Sequence, residues 1–113
     1  MYNYNAELKR VIDGDTIVLD VDLGFGIWLR DEHIRLARIN CPETRTRDLE
    51  EKAKGIAARE FVQFMLLEPT NNIQLKTFKD KGKYGRYIAD VFINGTNLND
   101  LLVSEGLAEY VEY

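Results

Sequence analysis

The most constraining stretch of this chain is residues 16–23, where Ile17, Leu19, Val21 and Leu23 alternate with Thr16, Val18, Asp20 and Asp22. A two-residue period puts alternate side chains on opposite faces of an extended strand, so it predicts a half-buried β-strand in an antiparallel sheet. Asp13-Gly14 immediately before it is a hairpin-turn signal, which makes residues 4–12 the partner strand. Whatever fold the chain adopts must bury one face of this pair.

The remaining elements follow in order. Gly24 and Gly26 loosen the next connection, and Ile27-Trp28-Leu29 leads toward a third strand over residues 32–39. Trp28 is expected in the core or at a barrel mouth. Pro42 stops that strand, because it has no N–H for a ladder and restricts Cys41 before it. Asp48 followed by Glu51 reads as a capping box opening a helix. Leu49, Ala53, Ile56, Ala57, Phe61, Phe64 and Met65 form its expected inward stripe, and Pro69 ends it. Asn71 and Asn72 precede a strand over 73–78, a basic hairpin turns at Gly82 and Gly85, and a strand follows over 87–93. Asn94-Gly95 closes that strand. Asn97 caps a short helix whose Leu98, Leu101 and Leu102 face inward, with Gly106 as its C′ residue. Three strands, helix, two strands, helix is the order of an α+β fold built on a five-stranded Greek-key barrel of the OB type, with two helices. Residues 1–113 are expected to make one such domain, monomeric.

The composition fits that expectation. With 45% hydrophobic and 30% charged residues, the 113-residue chain is ordinary globular material. Its lone cysteine, Cys41, cannot form an internal disulfide, so nothing requires an oxidising compartment. No apolar run approaches the roughly 18 residues of a membrane span, and the polar start is not a signal peptide. The expected location is the cytoplasm, or outside the cell if a signal peptide has been removed, with no membrane partner. A net charge of −4 argues against coating nucleic acid by bulk attraction. The distribution differs: Lys76, Lys79, Lys81, Lys83 and Arg86 against Asp80, and Arg35, Arg38, Arg45 and Arg47 against Glu43, make two basic runs. Each alone reads equally well as a solvated, edge-protecting surface. Two such runs on either side of a helix favour a shared anionic partner.

Three polar clusters can carry chemistry. Asp15, in Asp13-Gly14-Asp15-Thr16, is a carboxylate at the start of an apolar strand, the kind of oxygen a hard divalent cation takes. Asp13-Gly14 alone is explained better by the turn, the commonest of hairpin signals. Asn40, the Cys41 carbonyl and Glu43 offer more oxygens on one turn, a few residues after Arg35; an Asx-turn at Asn40 is the plain alternative. Cys41 also raises thiol catalysis, but His33, the single histidine, lies eight residues away along a strand, far beyond hydrogen-bond reach. In Lys83-Tyr84-Gly85-Arg86, an arginine suited to bidentate phosphate contacts stands beside a ring able to stack on a base.

Ile-Asp-Gly-Asp-Thr (12–16), Arg-Leu-x-x-Ile-x-x-Pro-Glu-Thr (35–44), Lys-Tyr-Gly-Arg (83–86) and Asn-x-x-Leu-Val-x-x-Gly-Leu-Ala (99–108) occur in that order. Together, over residues 7–108, they closely resemble the thermonuclease (staphylococcal nuclease-like) family. The resemblance implies an OB-fold, calcium-dependent phosphodiesterase acting on DNA and RNA and leaving 3′-phosphates. It implies Asp15 as a calcium ligand, the Cys41 carbonyl as another, and Asp13 as a carboxylate behind them. Glu43 would activate water, and Arg35 and Arg86 would clamp the phosphate and stabilise the pentacoordinate transition state. Lys83 and Tyr84 would line the neighbouring nucleotide's site, with Tyr110 as a further stacking residue. Single-stranded DNA or RNA is the implied substrate.

Two positions depart from the family's pattern. Asn40 stands where the family has an aspartate that binds calcium, and Cys41 where it has a small residue. The amide oxygen still ligates, but a negative charge is gone, so calcium affinity and activity are expected to fall, with manganese as the alternative metal. The family's last helix is expected to have no counterpart here. Asn40 also supports a second reading: a catalytically weakened OB module that binds single-stranded nucleic acid.

Overall fold

A computed structural model of the chain describes residues 3–68, 72–77 and 87–111. In chain order the elements are β1 (Asn3–Asp13), β2 (Thr16–Gly24), β3 (Ile27–Leu36), β4 (Ile39–Asn40), α1 (Leu49–Leu67), β5 (Ile73–Thr77), β6 (Tyr87–Ile93), β7 (Thr96–Asn97), α2 (Leu98–Ser104) and β8 (Glu109–Tyr110). β1, β2 and β3 form an antiparallel meander, β5 pairs with β1, and β6 pairs with β5. β6 then returns to β3 in parallel, with Ile34 opposite Tyr87, Arg35 opposite Ile88 and Leu36 opposite Ala89. That pairing closes five long strands into the expected OB-type barrel with two helices.

The barrel is filled by side chains such as Ile17, Leu19, Ile34, Leu36, Leu75 and Val91, while Leu98 and Leu102 of α2 plug it from one side. β2 is more buried than its alternation predicts: every residue from Thr16 to Val21 is covered, on both faces. Its outward Asp20 is enclosed because Asp31 N–H donates to Oδ1 at 2.9 Å and Arg30 donates to Oδ2 at 3.1 Å. Leu23, expected inward, is exposed, because the β2–β3 hairpin runs past the barrel and leaves Phe25 and Ile27 in solvent as well. Trp28 lies on that projection, half-buried, with the Arg30 guanidinium 4.8 Å from its ring centre. It is not core. The third strand also starts earlier than expected, at Ile27, and stops at Leu36. Arg38, at φ 67°, turns the chain before β4.

The first hairpin turns at Gly14 and Asp15, one residue later than the Asp-Gly pair suggests, with Asp13 opposite Thr16. Gly14 is required there by space: a Cβ would lie 2.8 Å from the Ala58 Cβ and 2.9 Å from the Cys41 Sγ.

Helix α1 begins as expected, the Asp48 carboxylate accepting from the N–H groups of Glu50 and Glu51. The Asp48 N–H donates to Thr46 Oγ1. The expected stripe is wrong, however. Leu49 and Phe64 are about four-fifths exposed, and the buried face is Gly55, Ala58, Val62 and Leu66, flanked by Phe61 and Met65. Small residues set that face because the helix lies directly on the 42–43 turn: a Cβ on Gly55 would be 2.5 Å from the Glu43 carbonyl oxygen. In α2, Asn97 caps as expected, its side chain accepting from the Asp100 N–H at 3.1 Å. At the other end Gly106 N–H donates to Val103 O and Leu107 N–H to Leu102 O, a Schellman closure at Gly106 φ 75°. Between Leu98 and Leu102, Asn99 is also fully buried, which the hydrophobic pattern alone does not predict.

Candidate active site

Asp15, at the start of β2, is 8% exposed, yet its carboxylate is bonded on every side. Cys41 N–H donates to Oδ2 at 3.0 Å, Thr16 Oγ1 donates to Oδ1 at 3.2 Å, and an Arg35 nitrogen lies 3.4 Å from Oδ2. The main chain adds to this, as Leu36 N–H donates to the Asp15 carbonyl at 2.9 Å. The β1–β2 turn, the end of β3 and the start of the 41–44 turn are thus tied at one carboxylate. The alternating strand puts Arg35 on the outside of the barrel while Ile34 and Leu36 go in.

Arg35 is held in place. One guanidinium nitrogen donates to Leu36 O at 2.9 Å, and the other, besides Asp15, donates to Asn40 Oδ1 at 3.3 Å. Asp15 and Asn40 therefore converge on a single guanidinium nitrogen. Asp13 stands behind them, accepting a 2.6 Å hydrogen bond from Thr44 Oγ1 and so fixing the far side of the turn. Glu43 lies between, its side chain in solvent and its carbonyl against Gly55 of α1. Asn40, Cys41, Pro42 and Glu43 form one wall of an open groove of about 730 Å³, whose other walls are the first turns of α1 and residues 106–109.

The Cys41 side chain is buried, its sulfur packed against Gly14 near Ala58. Burial, with the Asp15 charge adding to it, pushes its thiol up to about 12. A thiolate nucleophile at neutral pH is excluded, while the Cys41 main chain remains at the site. Tyr110 is likewise turned elsewhere. It pairs with Ile39, on the other face of the β4–β8 ribbon from Asn40. Its hydroxyl donates to Asp100 at 2.9 Å, and the Arg38 guanidinium lies 5.9 Å from its ring centre. The same guanidinium bonds Asp90 at 3.0 Å and Asp100 at 3.1 Å, locking α2 and β8 to the barrel.

Asp13, Asp15, Arg35, Asn40, Cys41 and Glu43 are thus brought together; Tyr110 is not. Lys83, Tyr84 and Arg86 lie outside the described residues. Among the described residues no three His, Cys, Asp or Glu side chains gather closely enough to hold a metal by themselves. The oxygens at hand are one carboxylate, one carboxamide, main-chain carbonyls and the nearby Glu43, a set that fits a hard cation such as calcium and not a thiophilic one. Arg35 already bridges two of those oxygens with positive charge.

Comparisons with known proteins agree with the fold. Residues 33–113 match the family described as Staphylococcal nuclease homologue. The chain is 36% identical over 101 residues to the thermonuclease of Staphylococcus intermedius, covering 89% of this chain and 56% of that protein. It is 30% identical over 99 residues to the thermonuclease of Staphylococcus hyicus, covering 88% and 54%. To the endonuclease YncB of Bacillus subtilis it is 31% identical over 108 residues, covering 92% and 46%. The chain spans about half the length of these relatives. Barrel, paired motifs and sequence identity together place it: the chain belongs to the staphylococcal nuclease homologue family.

Proposed function

We propose that the chain is a calcium-dependent nuclease that hydrolyses phosphodiester bonds of DNA or RNA and leaves 3′-phosphates. The observation that carries this reading is the bonded cluster of Asp15, Arg35 and Asn40, with Glu43 in solvent on the adjoining turn. An ion pair at the rim can be purely structural, as Arg38 with Asp90 is; what sets the Asp15–Arg35 pair apart is that Asn40 joins it beside the exposed Glu43. Nuclease names among the relatives support the same class of chemistry.

In this mechanism Glu43 takes a proton from water as the water oxygen bonds to phosphorus, and the 5′-oxygen leaves with the bonding pair and takes a proton from solvent, giving a 5′-hydroxyl and a phosphate on the 3′ side. Arg35, already oriented by Leu36 O and Asp15, donates to the phosphoryl oxygens as charge builds on them, without having to be ordered at that moment. Arg86 joins it from the basic run. Lys83 and Tyr84 take the adjoining nucleotide. Asp15, the Asn40 amide oxygen and the Cys41 carbonyl would hold calcium, with Asp13 bracing the turn through Thr44. Calcium, when bound, supplies positive charge beside a phosphate oxygen.

Cleavage of a fluorescent single-stranded DNA is the test, with calcium, with chelator, and with Glu43→Gln. Cleavage should require calcium, and Glu43→Gln should lower it by about 10²–10⁴-fold. The melting temperature should not change, because Glu43 is exposed. Metal-independent cleavage that survives Glu43→Gln would sink the reading. The second reading, a module that binds single-stranded nucleic acid without cutting it, is favoured by one contact: Asn40, uncharged, is bonded to Arg35. Binding of the same oligonucleotide without cleavage would select it.

A further inference from the structure

Asp15 faces the Arg35 guanidinium at 3.4 Å, and Asn40 brings no charge, so the inner cluster has no net negative charge with which to hold a dication. We propose that Glu109 supplies the second carboxylate of the cation site, in place of the charge that Asn40 lacks; this rests on the calcium-dependent reading above.

The register of the short β4–β8 ribbon carries the proposal. Asn40 stands directly opposite Glu109, and Ile39 opposite Tyr110. Residues directly opposed in an antiparallel pair share a face, with Cβ atoms about 4.5–5.5 Å apart. The Asn40 side chain is directed to Arg35, so the face it shares with Glu109 is the face of the Asp15 cluster. Tyr110 and Ile39 take the other face, where Tyr110 is occupied by Asp100. Asn40, Cys41, Glu43 and Glu109 line the same groove.

The backbone that bears Glu109 is well anchored. Val111 N–H donates to Arg38 O at 2.8 Å, and the Schellman closure at Gly106 fixes the approach from α2. The Glu109 side chain itself is exposed and has no hydrogen bond or ion pair among the described residues. A long, unrestrained carboxylate on a fixed strand is able to turn onto a cation that Asn40 approaches from the opposite strand and Asp15 from the β1–β2 turn. Because the number of anionic ligands tunes calcium affinity, removal of this one has a measurable effect.

Calorimetric titration of calcium chloride into the full chain tests this, with the unmodified protein, Glu109→Gln, Asn40→Asp and the double variant. Glu109→Gln should raise the calcium Kd by about tenfold or more, and Asn40→Asp should lower it. In the Asn40→Asp background, where residue 40 carries the charge, Glu109→Gln should change Kd by less than about threefold. Calcium-free melting temperatures should agree across the set, since both side chains are exposed. If calcium binds and Glu109→Gln leaves Kd within about twofold, the proposal fails and the cation reading stands. Equal losses in both backgrounds would overturn it in the same way, and binding that appears only with Asn40→Asp would overturn it together with the calcium-dependent reading of the unmodified chain. Absence of binding in the unmodified protein and in Asn40→Asp alike would overturn the proposal and the calcium-dependent reading together.

Discussion

Cys41 contributes its main chain to the site and hides its side chain. The N–H holds Asp15 while the thiol packs toward Gly14 and Ala58, where burial pushes it up to about 12. In the unfolded chain the thiol ionises near pH 8.5, about its ordinary value. Above that pH the unfolded state releases a proton that the folded state retains, so the contribution is complete below about pH 8.5 and falls as pH rises toward 12. The urea midpoint of the parent should therefore drop more steeply between pH 8 and 10.5 than that of Cys41→Ala. In the folded protein at pH 8 the thiol should resist a thiol reagent and react once urea is added. Equal pH slopes would mean that the thiol is not protected. At this scale the sequence motifs locate Asp15, Arg35, Asn40 and Glu43, because those residues come from two short runs. They do not locate Glu109 or the fully buried Asn99, each of which meets a residue far away in sequence: Asn40 for the first and Ala37 for the second.

Between elements, the contact that matters most for Glu43 is the seat of α1 on its backbone. Alanine in place of glycine within a helix ordinarily stabilises it by about 1 kcal/mol. At Gly55 the added Cβ would stand 2.5 Å from the Glu43 oxygen and 2.8 Å from the Pro42 oxygen, both main-chain atoms of a braced turn. Gly55→Ala should thus lose about 1–3 kcal/mol in urea denaturation, as overpacked sites do. It should also lower cleavage by moving Glu43. A gain in stability would show that the turn yields easily. This seat also explains the misread stripe. Hydrophobic periodicity weighs large apolar side chains, such as Leu49 and Phe64, whereas close approach to a backbone selects Gly55 and Ala58. Caps and turns are governed by local chemistry, and Asp48, Asn97 and Gly106 are found where their residue types predict.

Over the whole molecule, Asn99 joins its own helix to β6 and to the β3–β4 turn, which is distant in sequence. Its amide nitrogen donates to Ala37 O at 2.9 Å, Ala89 O at 3.2 Å and Asp90 at 2.9 Å, and its oxygen accepts from Val91 N–H at 3.2 Å. α2, β6 and the β3–β4 turn are thereby fixed to each other, with Arg38 reinforcing them through Asp90 and Asp100. Asn99→Leu preserves volume but takes this partner from the Ala37 carbonyl and the Val91 N–H, at about 1–2 kcal/mol each, while Ala89 O keeps the Ala37 N–H and Asp90 keeps Arg38. A total loss of about 2–4 kcal/mol in urea denaturation is expected, and a loss under about 1 kcal/mol would mean that these groups find other partners. The order of strands and helices was readable from alternation, turn residues and caps. The parallel β3–β6 pairing was not, since a pairing between residues 34–36 and 87–89 leaves no local trace.

That closing pair also has a consequence for synthesis. Asp13, Asp15, Arg35, Asn40, Cys41 and Glu43 all belong to one early run of the chain, joined by hairpins, whereas the ring needs β5 and β6, made later. Translation at roughly 5–20 residues per second leaves an interval of about 3–10 seconds between Glu43 and the end of β6. During it, the nascent chain carries Glu43 and Arg35 on an open meander. If the chain cuts RNA as proposed, ring closure is the step that completes the site, and the half that bears Glu43 stays unarmed until β6 has been made.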